Sequence, residues 1–387
     1  MKEKICWLVV FCLFFQLSAL AGGLNRVAVT GVTDIGNGSD PDGSWFPHNL
    51  GSKLQLREDY LIEVGAEVMI PRFTYRDWRG RKFTSKPRIA HALPAVAFTQ
   101  RIDDQTVWGV DINTEYGLGA AFKDIWYGMD SESLVSGTYV KPYLSRQLTD
   151  RLSVGFGPTL VFGMIDWFGP LDINRVPLPV RVGLKAKGFG YGFQVGAMYQ
   201  ATEKLAFGLN YLSPVRVDLA GDCTISALGL KVRDSVDLQF KFPERIDFAL
   251  GYQPRADWLL TAQASYFGYS KNSLDKAVIN FKKLPLRKSL KLDWKDNIAL
   301  YLGLSRKVND RLKVGGGVGY MSKAVSKTAD FMTPDVVGFS VATRVSYSFN
   351  DLDLLLAVSR GWGKNNSRGK EISADVWTIS LAGSWKF

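Results

Sequence analysis

Few residues in this chain have the type and spacing that chemistry requires. Its histidines, His48 and His91, are far apart in sequence. No G-x-S-x-G stretch, histidine pair or metal-ligand spacing occurs in the 387 residues. A hydrolytic site needs a nucleophile beside a base that a third group orients. Glu63 and Glu67 share one face of an alternating segment and could act as acid and base, but carboxylates so placed also serve as the charged lining of a wall. Gly363 to Lys370, "GKNNSRGK", follows no strand-to-helix pattern, so it reads as a turn and not as a phosphate cradle. No catalytic residue, metal or cofactor is expected. What remains is a set of aromatic and apolar residues at every second position, whose chemistry is burial and partition.

The elements that carry those residues begin after a leader. Met1 to Lys4 is basic, Ile5 to Leu17 is almost unbroken apolar sequence, and Ala19-Leu20-Ala21 is a small-x-small cleavage site. This is the pattern of a secretory signal peptide. Cys6 and Cys12 fall within it, which leaves Cys223 without an intrachain partner. Beyond it no run of ~18 apolar residues suits a spanning helix. Without the leader's charges the balance is 46 basic against 36 acidic side chains. A basic exported protein can contact anionic lipopolysaccharide, anionic solutes or nucleic acid, but the basic residues are spread along the chain, with a cluster only at Lys282 to Lys291. No nucleic-acid partner is expected.

Successive side chains of a strand point to opposite faces, so a period of two marks strands. In Asp375 to Phe387, "DVWTISLAGSWKF", Trp377, Ile379, Leu381, Trp385 and Phe387 share one face, and small or polar residues share the other. The same alternation runs through Ile62, Val64, Ala66, Val68 and Ile70, and through Leu352, Leu354, Leu356 and Val358. A composition of 38 glycines and 13% aromatics, with mean hydropathy of −0.03, suits many such strands. Periodicity alone does not separate a soluble β-protein from a barrel in lipid.

Three further patterns do. Short polar turns ("RIDDQT", "LTDR", "QATEK", "QPRAD", "VNDR", "FND") alternate with longer connections near 76–90, 118–133, 166–187, 218–243, 271–293, 323–335 and 364–374. Aromatics gather at strand ends: Tyr60, Trp108, Tyr116, Trp258, Tyr269, Trp294, Trp362, Trp377 and Trp385. The alternating segments number about fourteen, an even count, as an outer-membrane barrel requires. They lie near 60–75, 91–101, 104–117, 134–147, 151–165, 188–202, 203–217, 244–254, 257–270, 294–307, 311–322, 336–350, 352–363 and 375–387. The expected fold is all-β: a transmembrane antiparallel β-barrel of about 14 strands. The expected plan is a signal peptide over 1–21, an N-terminal luminal plug over 22–59 and the barrel over 60–387. Residues 22–58 do not alternate and carry one apolar knot, Trp45-Phe46-Pro47, which suits a hatch folded into the lumen. The terminal aromatic Phe387 is expected to engage barrel-assembly machinery.

Gly188 to Pro214, "GFGYGFQVGAMYQATEKLAFGLNYLSP", resembles the signature strand pair of the long-chain fatty-acid and toluene outer-membrane transporter family (FadL-like). Asp247 to Lys271 is similar to its next hairpin, and Glu115 to Phe122, "EYGLGAAF", to the end of its third strand. The resemblance implies a channel for uptake of hydrophobic compounds, long-chain fatty acids or aromatic hydrocarbons, through an apolar pocket with a lateral opening. No nucleotide-binding motif or energy-coupling segment is evident, so passage is expected to be passive, and the chain is expected to be a monomer. By position the resemblance implies a hatch including Trp45, Phe46 and Pro47, a lateral gap at Tyr116, Gly117, Leu118 and Gly119, and ligand contacts from Trp167, Phe168, Leu171 and Val176. Its partners would be hydrophobic small molecules, outer-membrane lipid and lipopolysaccharide. "SWFPHNLG" replaces the family's Asn-Pro-Ala in the hatch. Other readings are a water-filled, anion-preferring porin, with Glu63, Asp111, Lys141, Lys313, Arg344 and Asp353 facing inward, an assembly or adhesion barrel, and an outer-membrane-anchored hydrolase.

Overall fold

The computed structural model describes residues 49–55, 59–86, 91–126, 128–171, 180–272, 277–282, 287–290, 294–324, 335–367 and 369–386. Its strands are β1 (Tyr60–Arg76), β2 (Lys82–Thr84), β3 (His91–Asp103), β4 (Thr106–Trp126), β5 (Met129–Thr149), β6 (Leu152–Leu171) and β7 (Val180–Thr202). Next come β8 (Leu205–Leu212), β9 (Val215–Ala227), β10 (Leu230–Phe242), β11 (Glu244–Arg255), β12 (Trp258–Gly268), β13 (Ala277–Phe281) and β14 (Arg287–Leu290). The last are β15 (Asn297–Lys307), β16 (Leu312–Met321), β17 (Val337–Phe349), β18 (Leu352–Ser367) and β19 (Lys370–Lys386). Neighbouring strands are antiparallel, and β1 pairs with β19 from Leu61↔Lys386 to Arg76↔Glu371, which closes the sheet. The short β2, β13 and β14 belong to the outer connections. β8 with β9 and β10 with β11 are single staves broken at a proline, which leaves the closed fourteen-stranded barrel.

The six expected polar turns lie at one end of the barrel. At the other end the expectation needs correcting. The supposed long connections at 118–133, 218–243 and 364–374 are extended hairpins: β4–β5, β9–β10 and β18–β19 continue to tight turns. At the β9–β10 turn both Leu228 and Gly229 have positive φ, the geometry that matches strand twist in a two-residue hairpin. Similarly β6 runs on to Leu171 and β7 begins at Val180. These stretches escape a search for outward apolar residues because their polarity is inverted. In β8 Leu205, Phe207, Leu209 and Tyr211 face out, and Ala206, Gly208, Asn210 and Leu212 face in. In β9 Val215, Val217 and Leu219 are buried, and Arg216 and Asp218 are exposed.

The inversion falls at a break in the wall. Leu212 pairs Arg245 below it and Val215 pairs Phe242 above it, with Ser213-Pro214 and Pro243 between. Proline has no N–H for a ladder. Ser213 covers the loss, donating its N–H to Phe193 O at 2.9 Å and accepting the Phe193 N–H on Oγ at 2.8 Å. Three of the aromatics expected in the interfacial girdles, Tyr116, Tyr269 and Trp294, are buried inside instead, whereas Tyr60, Trp108, Trp362, Trp377 and Trp385 face outward.

Candidate functional site

The interior above the break is apolar. Tyr116, Tyr139, Val182, Leu184, Val217, Leu238, Phe240, Phe242, Tyr269, Trp294 and Tyr301 belong to one buried cluster. Tyr116 stacks on Phe242 with ring centroids 5.3 Å apart, and Phe240 meets Phe242 edge to face at 4.9 Å. Gly137 makes this possible, since a Cβ there would collide with the Phe242 ring. A second cluster contains Met69, Phe73, Leu93, Ala120, Phe122, Val336 and Val376. Between the two lies a half-open cavity of about 60 Å³ lined by Met69, Tyr301, Met321, Val336, Ser340 and Val376, which also reaches the outward-facing Phe339 and Trp362. Each large apolar side chain so buried contributes ~1.5–3 kcal/mol, and the same force would draw a greasy solute inward.

The floor of this chamber is charged and paired. Glu115 accepts from Lys141 Nζ at 2.5 Å, Arg245 Nη1 at 2.9 Å and Asn113 Nδ2 at 3.0 Å. Arg245 Nε also donates to Asp247 at 2.9 Å, and Asp247 takes the Asn210 amide at 3.0 Å. Lower still, Lys53 donates to Asp111 at 3.0 Å. Lys53 belongs to a 3-10 turn, Leu50–Gln55, that docks against the inner face of β5 to β7. Ser145 and Ser153 donate to the carbonyls of Leu50 and Gly51 at 2.7 Å. Gly155 gives Leu50 its seat, because a Cβ there would strike the leucine. Buried charges persist only when paired and hydrogen-bonded, and these are.

Beside the chamber the wall is incompletely zipped. β3 pairs β4 only from Asp103↔Thr106 to Val96↔Ile112, although β3 continues alongside β1 up to His91↔Met69. Above Ile112, β4 has no strand partner on that side until the isolated Ser85↔Phe122 bridge, among the described residues. The stretch from Asn113 to Ala120 spans roughly 25 Å at ~3.3 Å per residue. It opens at a bulge where Glu115 is the extra residue between Thr114↔Thr138 and Tyr116↔Gly137. Such a bulge re-aims side chains, and here both Glu115 and Tyr116 turn inward. Each is tied to the break across the lumen: Glu115 to Arg245, and Tyr116 through its hydroxyl to Pro243 O at 3.1 Å. The bulge and the proline break therefore hold one another. At the outer end of the unpaired stretch, Lys86 N–H donates to Ala121 O at 2.8 Å and Lys86 Nζ reaches Asp130 at 2.6 Å. That hydrogen bond holds the Asp130 carboxyl below the ordinary carboxylate range.

The residues expected at the gap, Tyr116, Gly117, Leu118 and Gly119, lie in this unpaired stretch of β4. Of the expected ligand contacts, Trp167 packs against the apolar interior. Phe168 faces outward under the Arg181 guanidinium, 5.2 Å from its ring centroid, so it does not line the chamber. Leu171 ends β6. Val176, the hatch residues Trp45, Phe46 and Pro47, the leader and Phe387 lie outside the described residues. Sequence reasoning did place Asp111, Lys141 and Arg344 inward, as they are. It missed Glu115, Arg245, Asp247, Tyr139, Phe242 and Tyr301. A signal for Glu115 was present, a carboxylate breaking the alternation in "NTEYG".

A family profile described as "Outer membrane protein transport protein (OMPP1/FadL/TodX)" matches residues 61–376. The long-chain fatty acid transport protein of Escherichia coli O6:H1 is 26% identical over 153 residues, 34% of each chain. Its counterpart in Salmonella typhi is 23% identical over 299 residues, 67% of this chain and 66% of that one. This chain thus spans about two thirds or less of the length of these relatives. The crystal structure of a Pseudomonas aeruginosa FadL homologue superposes with a TM-score of 0.79 at 15% identity, over 95% of this chain and 100% of that one. That of the Pseudomonas putida toluene transporter TodX gives 0.77 at 18%, over 96% and 100%. At such identities the superpositions establish the barrel fold.

Proposed function

The chain belongs to the outer membrane protein transport protein family (OMPP1/FadL/TodX), and from that premise we propose that it takes up hydrophobic molecules passively across the outer membrane. It is an integral outer-membrane barrel. The observation that carries the reading is the apolar chamber standing directly beside the unpaired stretch of β4. A solute enters from the outer end, where the interior is apolar, and partitions into the chamber. Below, the paired network of Lys141, Glu115, Arg245 and Asp247 gives it no apolar contacts. It leaves sideways between β3 and β4, at Tyr116 to Gly119, into the membrane. Trp167 contributes to the chamber from above. Residues 22–59 act as the hatch, with the Leu50–Gln55 turn as its foot.

The outer face supports one partner. Arg72, Arg360 and Lys364 of β1 and β18 stand just above the apolar belt of Ile70, Val358 and Ile379, with Arg360 bidentate to Asp375 at 2.9 and 3.0 Å and over the Trp377 ring at 5.4 Å. This basic row matches the phosphates of lipopolysaccharide. Phe387 serves barrel assembly, and a monomer suffices for the route.

The test pairs uptake with conductance. Gly117→Trp with Gly119→Trp should abolish uptake of an aromatic hydrocarbon and of a long-chain fatty acid in cells lacking other transporters, while the barrel still inserts. Normal uptake by that variant would sink the lateral route. A large ohmic conductance of the unmodified protein in a planar bilayer would instead favour the porin reading.

A further inference from the structure

The cations at the floor of the chamber are already committed. Lys53 lies 3.0 Å from Asp111, Lys141 2.5 Å from Glu115, and Arg245 2.9 Å from both Glu115 and Asp247. Within this cluster three cations face three carboxylates, all buried. A ligand carboxylate arriving here would face Glu115 and Asp247 as like charges, or would have to strip a partner from a buried pair, which leaves an uncompensated charge in a low dielectric. An anionic head group is therefore poorly served.

Neutral donors, by contrast, are left over. The hydroxyls of Tyr139 and Tyr301 and the indole N–H of Trp167 are buried without a hydrogen-bond partner among the described residues. All three residues belong to the apolar cluster or pack against it. Tyr301 also lines the cavity, with its ring where a Cβ at Gly319 would fall. The Tyr139 and Tyr301 hydroxyls both lie within electrostatic reach of Arg245, so they mark the boundary between apolar chamber and charged floor. A buried O–H without an acceptor is a rarity that calls for a partner. Met69 and Met321 line the same cavity and, being unbranched, can shift to enlarge it.

We propose that this site prefers a neutral hydrophobic molecule carrying an acceptor oxygen, such as an aryl ketone or an ester, over a fatty-acid carboxylate, with the Tyr301 hydroxyl donating to that oxygen. The inference rests on the uptake reading and narrows it to a substrate class.

The experiment measures equilibrium binding to the full-length barrel in lipid nanodiscs, with empty discs as reference, for two matched pairs of compounds. Acetophenone and α-methylstyrene differ in C=O against C=CH2. Methyl laurate and laurate differ chiefly in the anion. Acetophenone should bind about fivefold more tightly than α-methylstyrene, the worth of one added hydrogen bond. That ratio should fall to within about twofold in Tyr301→Phe, which keeps the ring and its packing. Methyl laurate should bind about tenfold or more tightly than laurate. Equal binding of acetophenone and α-methylstyrene to the unmodified protein would overturn the proposal. So would laurate binding as tightly as its ester, or a ratio unchanged in Tyr301→Phe. If the hydrocarbon binds but either preference is missing, only this inference falls. If no compound binds, the uptake reading fails with it.

Discussion

β8 and β9 are two lengths of one stave, yet they are built to opposite plans. β8 shows Leu205, Phe207, Leu209 and Tyr211 to the outside and Ala206, Gly208, Asn210 and Leu212 to the lumen. β9, past Ser213-Pro214, turns Val215, Val217 and Leu219 inward and Arg216 and Asp218 outward. β11 and β10 repeat the change across Pro243. The backbone period is the same in both, so the difference reports the surroundings. Lipid demands an apolar exterior, whereas water above the membrane allows an apolar interior. The lower barrel is thus a membrane wall with a charged, packed lumen, and the upper barrel is a greasy cup that water surrounds. The unpaired stretch of β4 lies where the two meet.

Breaking the junction should have the largest effect. Glu115→Ala leaves Lys141 and Arg245 buried without their shared carboxylate, and should destabilise the barrel by about 3–5 kcal/mol in urea-induced unfolding. A loss under ~1 kcal/mol would mean that the network does not hold the bulge. Next, a charge placed on the outer face should separate the two regions. Leu209→Arg should cost about 2–4 kcal/mol in the same assay, whereas Gln239→Arg on β10 should stay within ~0.5 kcal/mol, as at an ordinary wet surface. Equal costs would put the membrane boundary elsewhere. Tyr116→Phe removes only the hydroxyl link to Pro243 O and should cost about 0.5–1.5 kcal/mol, with faster amide exchange along β4 as the local sign.

The smallest effect concerns the tie above the unpaired stretch. Because Asp130 titrates below the ordinary carboxylate range in the folded protein, its pairing with Lys86 is fully present above that range. The pairing is lost as the pH falls through the lowered value. Protection of the Lys86 amide should drop on acidification. Asp130→Asn should show the reduced protection already at neutral pH and should remove the acid step. An acid step that persists in the variant would assign the titration to another group.

The membrane-embedded half was legible because each of its strands obeys one local rule. Trp377, Ile379, Leu381 and Trp385 alternate with Thr378, Ser380, Ala382 and Ser384, and lipid contact imposes that rule without reference to distant residues. The upper half was less legible. Val182, Leu184, Val236 and Leu238 alternate just as regularly, but their apolar face is the inward one, so they resemble loops when outward grease is the criterion. The residues that the resemblance puts at a lateral gap, Tyr116 to Gly119, fall in the stretch of β4 that β3 leaves unpaired among the described residues. The partners that tie that stretch across the lumen were not legible. Arg245 lies 130 residues from Glu115, and Pro243 lies 127 from Tyr116, and no local pattern encodes a contact over such a separation.

By itself, then, the sequence determined the strand period, the even count, the short turns and the apolar belt, because these follow from the chain's own alternation and from the solvent it must face. Only the closed tertiary structure decided which face is inside at each height. Closure also brought a bulge and a proline break together across the lumen and left part of β4, among the described residues, without a strand partner on the β3 side. Those features depend on register and on contacts between remote staves, which exist only once the sheet has curled onto itself.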